Sequence, residues 1–133
     1  MIPPFNEHGY LPPGIHPATL DEIEARFGVE SEIRRAEMQS VRWLVPTAKT
    51  AGVLRIILNG SFVTDELEPN DVHCVLLFGA DFPRDADAAK ELAAGWPFLE
   101  IDSVRQKGFD ELATDFFATD RQLVPKGMIE VIT

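Results

Sequence analysis

At Gly52 the hydrophobic pattern of the chain changes period, and that change limits the folds open to it. Before Gly52 the spacing is helical. Thr19-x-x-Glu22 is a capping box, in which each side chain satisfies the other residue's free N–H. Leu20, Ile23 and Phe27 follow at helical intervals, and Gly28 is placed to end the helix. A longer helix is predicted from near Ser31 toward Thr50, with Ile33, Ala36, Ser40, Leu44 and Ala48 on its inner face. Pro46 should kink or split it, because proline removes a helical donor and crowds the preceding turn. After Gly52 short apolar runs take over. Residues 53–58 form a short apolar run rich in β-branched side chains and read as a strand, and 72–78 read as a second. "FPRDADAAKELAAGW" reads as a helix from near Asp85 to Gly95. "PFLEIDSV" reads as a third strand, with Phe98, Glu100 and Asp102 on one face and Leu99 and Ile101 on the other. "FDELATDFFAT" reads as a helix and "GMIEVI" as a fourth strand. The order predicts a small α/β or α+β domain: a mixed sheet of about four strands with helices mainly on one face.

The first 17 residues hold five of the ten prolines, which argues against a helix or a central strand there. Ile2, Phe5, Tyr10, Leu11 and Ile15 are too apolar for a free tail, so residues 1–17 should form an ordered proline-rich arm over a single domain, 18–133, or over a partner chain. His8 and His16 read as hydrogen-bonding loop residues. With 133 residues the chain suffices for one domain. No run approaches the roughly 18 apolar residues of a membrane span. The start lacks the basic and apolar segments of a signal peptide. The single cysteine, Cys74, excludes an internal disulfide and reads as a buried apolar residue. A cytoplasmic location is the expectation. The formal net charge of -10 repels a phosphate backbone, so broad nucleic-acid binding is not expected. Arg26, Arg34, Arg35, Arg42 and Lys49 cluster within residues 26–49 and read as a solvated helix face, or as a face for an acidic partner.

The chemistry-bearing stretch is "LNGSFVTDELEPNDVHCVLLF". Gly60 lets a backbone approach a phosphate closely. A helical turn after Ser61 would aim N–H groups at an anion. Asp71 and His73 lie two apart on one strand and so share a face, as two metal ligands would. Asp102 or Glu100, on the third strand, would add a carboxylate to that face. Lys126, in "VPKG", is placed in a turn from which a lysine can reach a phosphate. Gly60-Ser61 as a plain strand-to-turn breaker, Asp71 as a turn cap and His73 as a packed strand residue are the alternatives open at this level.

Asn59-Gly60-Ser61, nine residues, then Asp71-Val72-His73-Cys74 resembles the signature of the minimal nucleotidyltransferases: Gly, Gly or Ser, a spacer of about nine to thirteen residues, then Asp, apolar, Asp or Glu, apolar. The resemblance covers residues 52–104. The opening "IPPFNEHGYLPPGIHPATLDEIEARFG" and the closing "DRQLVPKGMIEVI" also look like a group of small bacterial nucleotidyltransferase-like proteins. It implies that Gly60 and Ser61 contact the phosphates of a nucleoside triphosphate, and Lys126 joins them as a nucleotide-binding candidate from its own place in the chain. It implies that Asp71 and Asp102 are catalytic, and that Asp71, Asp102 and the residue at 73 hold a divalent cation, magnesium or manganese. Two positions depart from the pattern: Asn59 replaces an apolar residue, and His73 replaces the second carboxylate. Magnesium prefers oxygen ligands. Losing one charge from a near-surface cation site costs up to about 4 kcal/mol. The expectation is a nucleotidyltransferase-like fold with a compromised metal site. By resemblance it would act through a partner protein, basic or toxin-like, as the antitoxin-like member of a bacterial two-gene system. An active metal-dependent nucleotidyltransferase acting on protein or RNA, and a nucleotide-sensing pseudoenzyme, are the alternatives. The arm and short strands also suit a homodimer.

Overall fold

The structure is a computed structural model, and it describes residues 1–105 and 124–133. The helix expected in "FDELATDFFAT" lies outside the described residues. The elements run β1 (Gly14–Thr19), α1 (Leu20–Phe27), α2 (Glu32–Ala51), β2 (Val53–Asn59), a 3-10 turn (Ser61–Val63), β3 (Val72–Phe78), α3 (Ala86–Ala94), β4 (Leu99–Arg105) and β5 (Gly127–Ile132). They form an α+β fold around one mixed sheet of order β1-β5-β2-β3-β4. β2 is antiparallel to both β3 and β5, while β1 runs parallel to β5 and β4 parallel to β3.

The helix starts are dictated locally. Thr19 and Glu22 close the capping box on α1, Ser31 accepts from Arg34 N–H at the start of α2, and Asp85 accepts from Ala88 N–H at the start of α3. Each such cap contributes about 1 kcal/mol. Gly52 ends α2 in the left-handed conformation, φ 99°, and its N–H caps the carbonyls of Ala48 and Lys49.

Burial divides the sheet into two faces. α1, α2 and α3 pack Ile23, Phe27, Met38, Val41, Leu44, Ala48 and Leu92 against Ile56, Leu58, Cys74, Leu76, Ile129 and Val131. Each fully buried side chain of this size contributes roughly 1.5–3 kcal/mol. The opposite face carries a smaller cluster of Ile57, Val75, Leu77 and Met128, with Ile15 and Val104 against it.

Four expectations need correcting. The sheet has five strands rather than about four, because residues 14–17 of the expected arm belong to β1. Pro17 is tolerated there because β1 lies at the edge of the sheet and is hydrogen-bonded on one side. The rest of the segment does lie over the domain: Ile2 and Leu11 join the core, Tyr10 bridges to Thr64, and Asp65 N–H donates to Gly9 O. Next, α2 runs unbroken through Pro46, which sits on its exposed side. Its inner face holds the expected Ser40, Leu44 and Ala48 but differs from the expected one over the first two turns. Ile33 and Ala36 are half-buried, while Arg34, Glu37, Met38 and Val41 are buried. Finally, the cationic cluster is not one solvated face. Arg34 is in the interior, Arg42 ties α2 to Asp21 and Glu24 of α1, and Arg26 covers the Phe5 ring at 4.3 Å.

Candidate functional site

The strand directions bring the sequence-selected residues to one end of the sheet. β2 ends there at Asn59, while β3, β4 and β5 begin there. Asn59 lies opposite His73, and the Gly60-Ser61 turn follows directly. Asp71 precedes β3 and Lys126 precedes β5, so both arrive at this same end.

Gly60 takes φ 79° and ψ -165°, which side-chain-bearing residues rarely adopt. A Cβ built on it would lie 3.2 Å from the His73 Cβ. The turn therefore packs directly on β3. After Ser61, Val63 N–H donates to Gly60 O, Thr64 N–H donates to Ser61 O, and the Thr64 hydroxyl donates to the same Ser61 oxygen at 2.7 Å. The helical turn expected after Ser61 is thus a single 3-10 turn, with Phe62 and Val63 buried beneath it.

Arg34 holds that turn from behind. Its guanidinium donates to the carbonyls of Phe27 at 3.0 Å, Phe62 at 2.8 Å, Thr64 at 2.8 Å and Glu66 at 3.0 Å. These partners come from α1, the turn and the loop after it, so one side chain fixes three segments. One helical turn away, Glu37 is fully buried, and neither of its carboxylate oxygens has a hydrogen-bond partner among the described residues. Burial pushes its carboxyl up to about 7. Arg34 opposes that rise, while the charges of Asp71 and Glu66 add to it. Sequence pattern had no means of finding this pair. Arg34's partners are backbone carbonyls remote in sequence, and Glu37 sits where periodicity places an apolar residue.

On the other face of the sheet, His73 Nε2 and Asp102 Oδ2 are 2.7 Å apart. His73 pairs with Glu100 and Asp102 with Val75 across the parallel β3–β4 ladder, so the contact spans neighbouring strands on a shared face. Two of the three expected cation ligands do meet, and they meet by bonding to each other. Asp71 does not complete the set: among the described residues no group of three His, Cys, Asp or Glu side chains is placed to hold a metal ion. Glu100, the alternative third carboxylate, forms no such group either. A magnesium centre needs several oxygen donors aimed at one point. Here the imidazole and the carboxylate direct their facing atoms at one another, so the residues present do not fit that ion. The same face carries an ion pair, in which Arg55 grips Glu130 with two bonds of 2.9 and 2.6 Å.

Cys74, one residue along, points to the helical side, where burial pushes its thiol well above the usual range. The charges of Asp71, Asp102 and Glu100 push it further in the same direction. Such a thiol stays protonated and is a poor nucleophile, as expected for a packed core residue.

Over residues 3–132 the sequence matches the model of a family of unknown function, DUF6932. No curated protein and no solved structure matches the chain.

Proposed function

The chain belongs to DUF6932, a family of unknown function; from that premise we propose that it is a nucleotidyltransferase-fold protein whose cation site has been replaced by a hydrogen-bonded pair, and that it acts by associating with a partner protein. The observation that carries this reading is the 2.7 Å contact between His73 and Asp102. Those are two of the positions that the resemblance assigns to metal, and a histidine in place of a carboxylate puts a hydrogen-bonding ring where two like charges would repel. The Gly60 turn, with φ 79°, packs so closely on β3 that a Cβ at Gly60 would lie 3.2 Å from the His73 Cβ.

The association half of the reading is supported by charge and by surface. A net charge of -10 favours a basic partner and steers its approach. Val29, Leu54, Leu67, Trp96 and Phe98 are large apolar side chains left exposed on the surface. Trp96 and Phe98 lie two residues apart, and an exposed apolar pair suits an association site. A toxin-like partner in a two-gene system is the specific form that the resemblance suggests.

The test is incubation with labelled nucleoside triphosphates, magnesium or manganese, and protein and RNA acceptors. The wild-type chain should label nothing, and its melting temperature should not move with triphosphate. Metal-dependent labelling of any acceptor by the wild-type chain would replace this reading with that of an active nucleotidyltransferase.

A further inference from the structure

β4 lies at the edge of the sheet, paired with β3 on one side. Between it and α3 runs a cleft of about 390 Å³, lined by Val53, Leu76, Phe78, Phe82, Leu92 and Ile101 among others. That volume and composition fall in the range of real binding clefts rather than packing defects. Phe78, Phe82 and Ile101 are only half-buried.

The backbone of β4 is oriented for pairing. Val72 N–H donates to Phe98 O at the head of the β3–β4 ladder. In a parallel ladder alternate residues turn their N–H and C=O to the neighbour. Continuing in step, Glu100 and Asp102 face β3, while Ile101 and Ser103 turn both backbone groups outward, along the rim of the cleft. No proline or bulge interrupts this edge over residues 99–105.

Two further observations sit at its mouth. Trp96 and Phe98 are 48% and 39% exposed. Phe98 also takes φ 69°, a conformation costing a bulky residue on the order of 1–3 kcal/mol. Strain of that size at a solvent-facing aromatic accompanies binding sites more than plain surfaces. Trp96 is held in place by stacking on Trp43 at 4.8 Å.

We propose that β4 and the cleft beside it accept an extended, basic segment of the partner protein as a sixth strand, with alternate apolar side chains inserted between α3 and the sheet. Strand addition of this kind takes affinity from the main chain and specificity from pockets spaced two residues apart. The commitment to a basic segment rests on charge. The chain carries -10, and β4 itself presents the exposed Glu100 and the half-buried Asp102 on the sheet face away from the cleft, where alternate side chains of an added strand would lie beside them. This inference depends on the partner-association reading and gives that partner a mode of binding.

The experiment is selection of a displayed random-peptide library on the full chain, followed by titration of enriched synthetic peptides with Trp fluorescence and backbone amide shifts. Ser103→Pro removes an outward donor and leaves the ladder to β3 intact. Ala93→Trp fills the cleft from an exposed position on α3. Enriched peptides should be net positive with alternating apolar residues and should shift the amides of residues 99–103. Both variants should weaken binding by roughly tenfold or more at unchanged melting temperature. Failure to enrich any peptide, enrichment of acidic ones, or equal binding by both variants overturns the proposal. So does a wild-type dimer that Ser103→Pro converts to monomer, since the edge would then belong to a second copy. None of these results bears on the His73–Asp102 pair, so a failure here leaves the altered cation site to be judged by its own test.

Discussion

At the level of single residues, the interior of α2 holds two titratable side chains that work in opposite ways. Arg34 is satisfied by carbonyls from three segments, whereas Glu37 is buried without a donor among the described residues. A carboxyl raised to about 7 in the folded chain and ordinary, near 4.5, in the unfolded chain has a definite linkage sign. Below pH 4.5 both states hold the proton and the fold has its full stability. Between 4.5 and 7 the unfolded chain loses the proton first, so stability falls with rising pH, by about 3 kcal/mol in all. Above 7 this contribution is constant. Glu37→Gln should remove the decline, leaving a flatter pH profile and a higher melting temperature at pH 8. Identical pH profiles for variant and wild type would show that Glu37 is not the group responsible. Gly60→Ala tests the turn: a left-handed φ and a 3.2 Å contact with His73 predict a loss of about 1–2 kcal/mol in denaturant unfolding. The two residue-level surprises differ in how visible they were. His73 could be seen in the sequence because it breaks a spaced motif. Arg34 and Glu37 could not, because helical periodicity assigns inner positions to apolar side chains and says nothing of carbonyls arriving from other segments.

At the level of elements, local chemistry decided most of the outcome. Thr19 with Glu22, Ser31, Asp85 and Gly52 mark helix ends by side-chain and backbone rules that act within four residues, and these were legible. β3 and the closing strand were legible from their apolar runs. β1 was not, because its proline content outweighed its apolar residues and only the edge position makes Pro17 acceptable. Pro46 shows the same limit from the other side. Tertiary packing of Leu44, Val45 and Ala48 holds α2 continuous despite the missing N–H. Thr47 Oγ1 donates to Trp43 O at 2.8 Å beside the gap. Pro46→Ala restores the helical donor at an exposed site and should raise the melting temperature, by a free energy of about 1–3 kcal/mol. A lower melting temperature would mean that the helix geometry around Pro46 has been built into the packing beneath it.

At the level of the whole molecule, the sheet has one helix-covered face and one face carrying a hydrogen-bonded pair, His73–Asp102, and an ion pair, Arg55–Glu130. The α+β class and the meeting of His73 with Asp102 followed from element order and strand alternation. The absence of Asp71 from a shared metal cluster did not, because two residues on one strand share a face without sharing a focus. The measurement that bears most directly on the altered cation site is calorimetric titration of manganese with a nucleoside triphosphate into the wild-type chain and into His73→Asp. The wild type should show no saturable heat, and the variant, with a carboxylate beside Asp102, should gain a binding site. Tight manganese binding by the wild type, equalled or weakened in His73→Asp, would contradict the account.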